Sequence, residues 1–524
     1  FERVEQLQPA PPSAPRWGDW EQLRCTLMHQ LNRHQELVRR VAALPAAAPP
    51  KAARFCLLQG ARAAIAIAQS VTARDFLAHL IWRQELSVDE MRQARLLVIE
   101  SYLAEDKPQD AYALMLRYQQ EFKPVDRETA ARFVDALLAA GMEKEAVNWF
   151  SQLDDTSPVK LLMRLKTNLI APDAAIAQAR AGLARNNAAV AYWIVLQHAA
   201  ALQKNSLLHV ESLENLLQMA GDKSPERLAA TAAELWKSYA VAAQELANQD
   251  KLLLGDDANW ADYAARRAGA SPAMARAFYA YLVTQSKVRT TRQSAQLQMV
   301  YSLQGSRLAL TAVRLFDDAS RFPVAQLDPQ ARYLLGAMAA ESNQAAAAAR
   351  FWLGLTAPPT LAPDEWNLRL AQALVRAGAA DSGADALRAM IAGKKTLPAE
   401  MMQRAILPVQ ELQDTGFYKT ANELYGALLP LAEARERRDI LFGLGRIAET
   451  NNDFKHAADY FLEAALLLDA RATDNVSVYA RIAAAANLGR AGLKDDARAQ
   501  FGWLQKNVKD PEKLELIRRE MQKL

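Results

Sequence analysis

Residues 441–469 read LFGLGRIAETNNDFKHAADYFLEAALLLD, and this stretch decides the fold class. Gly445 is followed by Ala457 after twelve residues, by Phe461 after four more and by Ala464 after another three. An Asn-Asn-Asp sequence lies in the middle and predicts a turn between two helices. Small residues are expected where two helices cross closely, and Phe461 is expected to fill the space toward the next helix pair. A single apolar helix pair cannot bury its faces alone, so the pattern predicts a stack of repeats.

The spacing of twelve and then four residues recurs along the chain. It is found in Gly336, Ala348 and Trp352; in Ala371, Gly383 and Leu387; in Ala485, Ala497 and Phe501; in Val134, Ala146 and Phe150; and more loosely in Ile99, Ala111 and Met115. Gly141, Gly378 and Gly492 stand where three of these repeats need a turn. Alanine is common throughout, so one match would mean little, but six in register indicate a repeat protein.

This pattern resembles the tetratricopeptide (TPR) consensus, which has a small residue at position eight, Ala at twenty, an aromatic at twenty-four and Ala at twenty-seven. The resemblance covers about residues 88–155 and 328–510. It implies an all-α fold, a right-handed TPR-like α-solenoid that forms a superhelix of antiparallel helix pairs. The chain departs from the consensus in lacking a regular terminal proline and in repeat spacings that vary from about 35 to 40 residues.

The organisation that we predict has four parts. These are a flexible Pro/Ala-rich tether at 1–17, helical hairpins and TPR-like repeats at 18–155, an irregular helical segment at 156–327, and TPR-like repeats ending in a charged helix at 328–524. The third part fits the consensus poorly and is interrupted by Pro172, Pro225 and Pro272. Its Gly255 and Asp257 predict a turn and a helix N-cap before Trp260, either as a plain interhelical corner or as a partner-binding loop.

Composition limits the classes of function. Apolar residues make up 51% and charged residues 23% of the 524 residues, and the net charge is +4. Nucleic-acid binding proteins concentrate basic residues on one face, whereas this chain shows only short basic clusters, so no nucleic-acid partner is expected. No run of 18 apolar residues is present, so the sequence predicts no transmembrane helix.

The first residues favour export. The sequence begins at Phe1, and residues 8–16 read QPAPPSAPR, which predicts an extended or disordered tether. Such a tether is typical of the region after a removed signal peptide or a membrane anchor. We therefore expect a periplasmic protein, with either a removed signal peptide or a membrane tether upstream of residue 1. The alternative is a cytoplasmic protein with a frayed N-terminus.

Two cysteines, Cys25 and Cys56, raise the question of a disulfide. If residues 18–44 form one helix and 52–69 the next, the two cysteines lie roughly 20 Å apart along the helix axes. A disulfide needs Cα atoms within about 7 Å, so the bridge requires a break in the first helix. We expect two free cysteines that act as small apolar core residues.

Motifs for chemistry are lacking in the sequence. It contains no GxxxxGK[ST] phosphate loop and no GxSxG nucleophile elbow. Cys25 and His29 could share a helix face and supply two metal ligands, but a site needs three or four. Asp256 and Asp257 are adjacent and so are no facing carboxylate pair, and LGDDANW lacks the alternating ligands of a calcium loop. We predict no enzyme activity, no metal and no cofactor.

Three aromatic pairs, at 149–150, 351–352 and 460–461, fall at or beside the position that packs between helices. Core packing is the expected role, and a carbohydrate-binding platform is the alternative. A carbohydrate platform would need aromatic residues on the first helix of successive repeats, where few are found.

The leading functional hypothesis is a non-catalytic protein-interaction scaffold that binds protein partners on the concave face of the repeats. The resemblance implies a role in the bacterial cell envelope, in envelope assembly or exopolysaccharide secretion. One alternative is a non-catalytic body related to the superhelical part of soluble lytic transglycosylases. Another is a cytoplasmic TPR co-chaperone or regulator. The oligomeric state and the partner cannot be read from the sequence.

Overall fold

A computed structural model describes residues 16–83, 85–155, 157–185, 190–219, 230–249, 256–467 and 474–524. Within these ranges the regular structure consists of 28 α-helices and a few short 3-10 turns, with no strand. The all-α class predicted from the sequence is confirmed. The predicted tether falls almost wholly on residues 1–15, which lie outside the described ranges. Trp17, which that prediction included, is instead the first residue of α1 and is buried.

Contacts divide the described chain into two units, one up to Ser212 and one from Leu213 onward. Up to residue 219 the helices are α1 Trp17–Gln30, α2 His34–Ala42, α3 Pro50–Ala66, α4 Ser70–Arg83, α5 Val88–Leu103, α6 Pro108–Glu121, α7 Arg127–Ala139, α8 Glu143–Ala146, α9 Pro158–Lys166, α10 Pro172–Arg185, α11 Val190–Gln203 and α12 Ser206–Met219.

The remaining helices all belong to the second unit. They are α13 Ala232–Gln249, α14 Asp257–Arg267, α15 Pro272–Gln285, α16 Arg289–Gly305, α17 Ala309–Phe316, α18 Pro329–Glu341, α19 Ala345–Trp352, α20 Pro363–Arg376, α21 Ala380–Ile391, α22 Ala399–Asp414, α23 Tyr418–Leu428, α24 Ala434–Thr450, α25 Phe454–Leu466, α26 Asn475–Arg490, α27 Lys494–Asn507 and α28 Pro511–Met521.

A single turn geometry joins the two helices of successive pairs. The five pairs from α18 to α27 each have a three-residue turn whose middle residue adopts the left-handed conformation. The next N–H closes the turn, as where Ala379 donates to the carbonyl of Leu374 and Asp453 to that of Ala448, both at 2.9 Å. This is the Schellman arrangement, which satisfies carbonyls at the helix end and reverses the chain. It makes the paired helices antiparallel, as the TPR-like fold requires.

The same turn is found well outside the consensus repeats. The left-handed residues between paired helices are Asn32, Ala68, Asp106, Gly141, Asn168, Lys204, Arg307, Asn343, Gly378, Gly416, Asn452 and Gly492. Asn168, Lys204 and Arg307 lie in the segment where the consensus fits poorly. Helix pairs with the same turn are therefore found there as well, although the small and aromatic signature residues are missing.

Two of the three prolines expected to interrupt the irregular segment mark helix starts, and the third, Pro225, lies outside the described ranges. Pro172 and Pro272 are the first residues of α10 and α15, where the missing N–H has no intrahelical acceptor to lose. Carboxylate caps start other helices: Asp328 accepts from the N–H of Ala331 at 2.9 Å, and Asp474 caps α26 in the same way. Prolines and carboxylate caps thus mark where these helices begin.

Signature residues form the contact inside the pairs α18–α19 and α24–α25. An added Cβ on Gly445 would lie 2.8 Å from the ring of Phe461, and one on Gly336 would lie 2.1 Å from the indole nitrogen of Trp352. The aromatic side chain of the second helix therefore covers the glycine of its own first helix. Phe461 also clusters with Ala484 of the next pair, so it bridges two repeats.

Three local expectations differ from the structure. The helix expected at 18–44 breaks at Leu31–Arg33, where Asn32 is left-handed, so α1 and α2 are separate. The cap of α14 is Asp256, one residue before the predicted Asp257. Phe150 is only half-buried and the adjacent Trp149 is fully buried, because the chain winds into a tighter 3-10 turn at Val147–Gln152.

In the part of the chain that the structure describes, no helix combines the length and the apolar character needed to cross a membrane.

Candidate functional site

A groove crosses three consecutive repeats in the second unit. Its floor and walls come from α18, α19, α20 and one residue of α22, and its volume is about 340 Å³. The lining residues are Ala337, Ala340, Glu341, Asn343, Ala345, Ala348, Trp352, Arg369, Gln372, Ala373, Arg376 and Arg404. The many alanines keep the floor low, while arginine, glutamine and asparagine at the edges supply hydrogen-bonding groups.

Side-chain hydrogen bonds join the first helices of neighbouring pairs along this groove. Glu365 on α20 accepts two hydrogen bonds from Arg404 on α22, both at 2.8 Å, and a third from Arg369 at 2.6 Å. Gln372 donates to the backbone carbonyl of Arg404 at 3.0 Å. Arg376 lies 3.6 Å from a carboxylate oxygen of Glu411. These bonds fix the spacing of α20 and α22 and hold the arginines in set orientations.

The electrostatics of Glu365 follow from this arrangement. The hydrogen bonds from Arg404, and then from Arg369, hold the pKa of the Glu365 carboxyl below its ordinary value and outweigh the opposing effect of partial burial. The same contact raises the pKa of Arg404. The carboxylate is therefore ionised at neutral pH, and the site presents paired charges at fixed positions.

The polar ladder continues into the next repeats. Gln403 on α22 donates to Glu436 on α24 at 3.0 Å. Glu449 on α24 accepts from Asn487 at 3.2 Å and from Arg490 at 2.6 Å, both on α26. We call the contacts of Glu365, Arg404, Gln403, Glu436, Glu449, Asn487 and Arg490 the first-helix ladder.

A second cavity, of about 460 Å³, lies between the pairs α22–α23 and α24–α25. Its lining includes Tyr418, Lys419, Asn422, His456 and Tyr460. The Nδ1 atom of His456 lies 2.7 Å from a carboxylate oxygen of Asp453. Since Asp453 caps α25, this contact belongs to the start of that helix.

The predicted repeat signature has a structural role, and most of its residues do not line the groove. Twelve of its residues are buried, namely Gly336, Ala348, Trp352, Gly445, Ala457, Phe461, Ala464, Ala485, Ala497, Phe501, Val134 and Ala146. Only Ala348 and Trp352 line the groove. Its polar edge was missed by the sequence analysis. The available signal was a set of polar residues on the inner positions of successive first helices, as in Glu365, Gln372 and Arg404.

A buried polar cluster outside the groove was also missed. Glu214 binds Arg276 through both carboxylate oxygens and accepts a further hydrogen bond from Tyr239 at 2.5 Å. Arg276 also donates to Ser302 and Ser306, so the guanidinium is well satisfied. Burial, followed by the charge of Glu214, raises the pKa of Tyr239 well above its ordinary value. Full satisfaction of these buried groups indicates a packing role that orders α13, α15 and α16.

The aromatic side chains at 149–150, 351–352 and 460–461 are buried or half-buried and do not form an open platform. Trp149 and Trp352 are fully or almost fully buried, and Trp260 stacks on Tyr281 with ring centroids 4.1 Å apart. Trp260 is therefore a packed corner residue, whereas Gly255 of the predicted turn lies outside the described ranges. Within the groove, the lining side chains offer hydrogen-bond donors and small apolar surfaces, which suit ligand binding better than catalysis.

The chain was compared with known proteins on three levels. No family model and no curated protein matches it. It is similar to a solved structure described as "Crystal structure of APC/C hetero-tetramer Cut9-Hcn1", with 11% identity, 96% of this chain and 90% of that chain covered, and a TM-score of 0.30. That score is too low to transfer any residue or role. The fold assignment rests on the helix pairs, their common turn and the packing inside them, and these define a TPR-like repeat protein.

Proposed function

We propose that the protein is a non-catalytic interaction scaffold that holds an extended segment of a partner protein in the groove between α18 and α22. The observation that carries the proposal is the combination of an alanine floor with oriented arginine and glutamine groups across three repeats. Small side chains leave room for a peptide backbone, and fixed donors match its carbonyl groups. TPR-like repeats bind partners through surfaces spread over several repeats.

Binding by this groove can be tested without a known partner. Random peptides displayed on phage are selected on the full chain and then on a variant with the groove filled, Ala340→Trp. The matched control is Ala389→Trp, which places the same side chain on an exposed position of α21 away from the groove. We expect selected peptides to bind the wild type and the control alike and to bind Ala340→Trp at least about tenfold more weakly, or about 1.4 kcal/mol.

Two outcomes would count against a peptide-binding scaffold. One is the absence of any peptide that distinguishes Ala340→Trp from Ala389→Trp. The other is measurable turnover of a substrate by the purified chain. Turnover of peptidoglycan would favour the alternative hypothesis, a protein related to soluble lytic transglycosylases.

We also propose that the scaffold works in the bacterial periplasm, in envelope assembly or exopolysaccharide secretion. The Pro/Ala-rich residues 8–16 ahead of the helical body support this proposal. Fractionation of cells that express the complete natural gene tests it. The protein should leave with the periplasmic or membrane fraction, whereas recovery with cytoplasmic markers would favour a cytoplasmic TPR regulator.

A further inference from the structure

Cys25 on α1 and Cys56 on α3 lie together in the core of the first unit. Both side chains are fully buried, and their Sγ atoms are 3.1 Å apart. The pair sits in an apolar cluster with Met28, Val41 and Leu57. The contact exists because α1 ends at Gln30, so the chain reverses at Asn32 and α1 packs on α3.

This spacing is close to what a covalent bond needs. A disulfide brings two sulfurs to about 2.05 Å, so each side chain has to move by only roughly half an ångström. The two residues come from different helices and are 31 positions apart in sequence. A bond between them would close a loop that contains α2 and would fix the first helix to the rest of the unit.

A metal is the rival occupant. Among the described residues, Glu21, Cys25 and Cys56 form the one group with three ligand atoms close enough for an ion. Both oxygens of Glu21, however, accept hydrogen bonds from Arg40 at 2.8 Å. A cation would have to displace this guanidinium or sit beside its positive charge, both of which are unfavourable. The geometry favours bond formation between the sulfurs over metal binding.

We propose that Cys25 and Cys56 are a disulfide-forming pair that covalently ties α1 to α3 when the protein folds under oxidising conditions. A small-molecule disulfide such as oxidised glutathione is the oxidant. One cysteine thiolate attacks it and releases the first glutathione thiol. The second cysteine then attacks the mixed disulfide and releases the other. The two cysteines lose two protons and two electrons, and one oxidised glutathione becomes two reduced molecules.

We expect the disulfide to form while the chain folds or when the first unit is partly unfolded. In the folded state the contact with Cys25, together with burial, raises the pKa of Cys56, so the reactive thiolate is scarce. Full burial also keeps oxidants away from both sulfurs. Oxidation of the folded, reduced protein is therefore expected to be slow, and oxidation during refolding fast.

The test uses the full chain, purified in reduced form, unfolded and then refolded with an excess of oxidised over reduced glutathione. Free thiols are counted after denaturation with a maleimide reagent, and the linked peptide is identified by mass spectrometry. We expect no free thiol, a peptide pair joined through Cys25 and Cys56, and a Tm of the first unit that reduction lowers by roughly 5–15 °C.

Single-cysteine variants distinguish the effect of the disulfide on the Tm from the effect of side-chain packing. Cys25→Ala and Cys56→Ala each leave one sulfur, and the Tm of both should be insensitive to reduction. The Tm of the oxidised wild type, in contrast, should fall when reductant is added. Two free thiols after refolding in oxidised glutathione, glutathione bound singly to each cysteine, or an oxidised form no more stable than the reduced one would overturn the proposal. So would stoichiometric binding of zinc by the reduced protein, measured by native mass spectrometry.

Discussion

At the scale of single residues, backbone conformation at the turns is a direct source of stability differences. Ala68 takes the left-handed conformation with a φ of 58°, and Gly378 does the same with a φ of 82°. An L-residue with a Cβ loses roughly 1–2 kcal/mol there, whereas glycine does not. Equivalent turns should therefore respond in opposite ways to exchange of alanine and glycine.

Ala68→Gly should raise the free energy of unfolding of the first unit by about 1 kcal/mol, because it removes this strain from an exposed side chain that makes few contacts. Gly378→Ala should lower the stability of the second unit by about the same amount. Urea denaturation measures both. Equal signs for the two exchanges would contradict the turn geometry.

Glycines inside helices also differ in how much space an added methyl group would find. Gly445→Ala places a methyl group 2.8 Å from the ring of Phe461, so it should destabilise by about 1–3 kcal/mol through overpacking. Gly426→Ala is the matched control, because nothing lies within 4 Å of an added Cβ in that helix. It should be neutral or stabilise by up to about 1 kcal/mol. Thermal denaturation distinguishes the two, and a neutral Gly445→Ala would rule out the close contact.

At the scale of elements, the first-helix ladder ties one repeat to the next. Glu365 has a folded-state pKa below its ordinary value of 4.5, so the folded chain holds this proton less tightly than the unfolded chain. The stabilisation is present above the ordinary value and is lost as the pH falls through the lowered folded-state pKa. Because the carboxylate is only partly buried, solvent screening limits its size.

Glu365→Gln should therefore lower the stability of the second unit by about 1 kcal/mol at pH 7, through loss of the charged contact with Arg404. The difference from the wild type should shrink as the pH falls below 4.5 and through the lowered folded-state pKa, because the wild-type carboxyl then becomes protonated as well. Urea denaturation over this pH range measures the difference. A stability difference that does not change with pH would show that the charge of the Glu365 carboxylate does not contribute to it.

The sequence predicts interactions within one repeat better than interactions between two repeats. The turns at Gly378 and Gly492 and the contact of Gly445 with Phe461 follow from spacing within one repeat. The break at Asn32 carries no glycine or proline and was missed. The pairing of Glu365 with Arg404 joins residues 39 positions apart, so it depends on how two repeats are stacked and not on either repeat alone.

At the scale of the whole molecule, a repeat array has mainly nearest-neighbour contacts, so a local weakness spreads only a short way. In the second unit, Gly445→Ala weakens the pair α24–α25. Hydrogen exchange should increase most in residues 434–466, less in 399–428 and 475–507, and least in 329–352. A uniform increase over the unit would contradict repeat-like coupling.

The proposed peptide-binding groove spans the repeats from α18 to α22. Hydrogen-exchange mass spectrometry of the full chain, with and without a peptide from the phage selection, tests it most directly. We expect slower exchange in α18, α20 and α22 on peptide binding, and loss of this protection in Ala340→Trp but not in Ala389→Trp. Protection confined to other helices, or unchanged by Ala340→Trp, would contradict it.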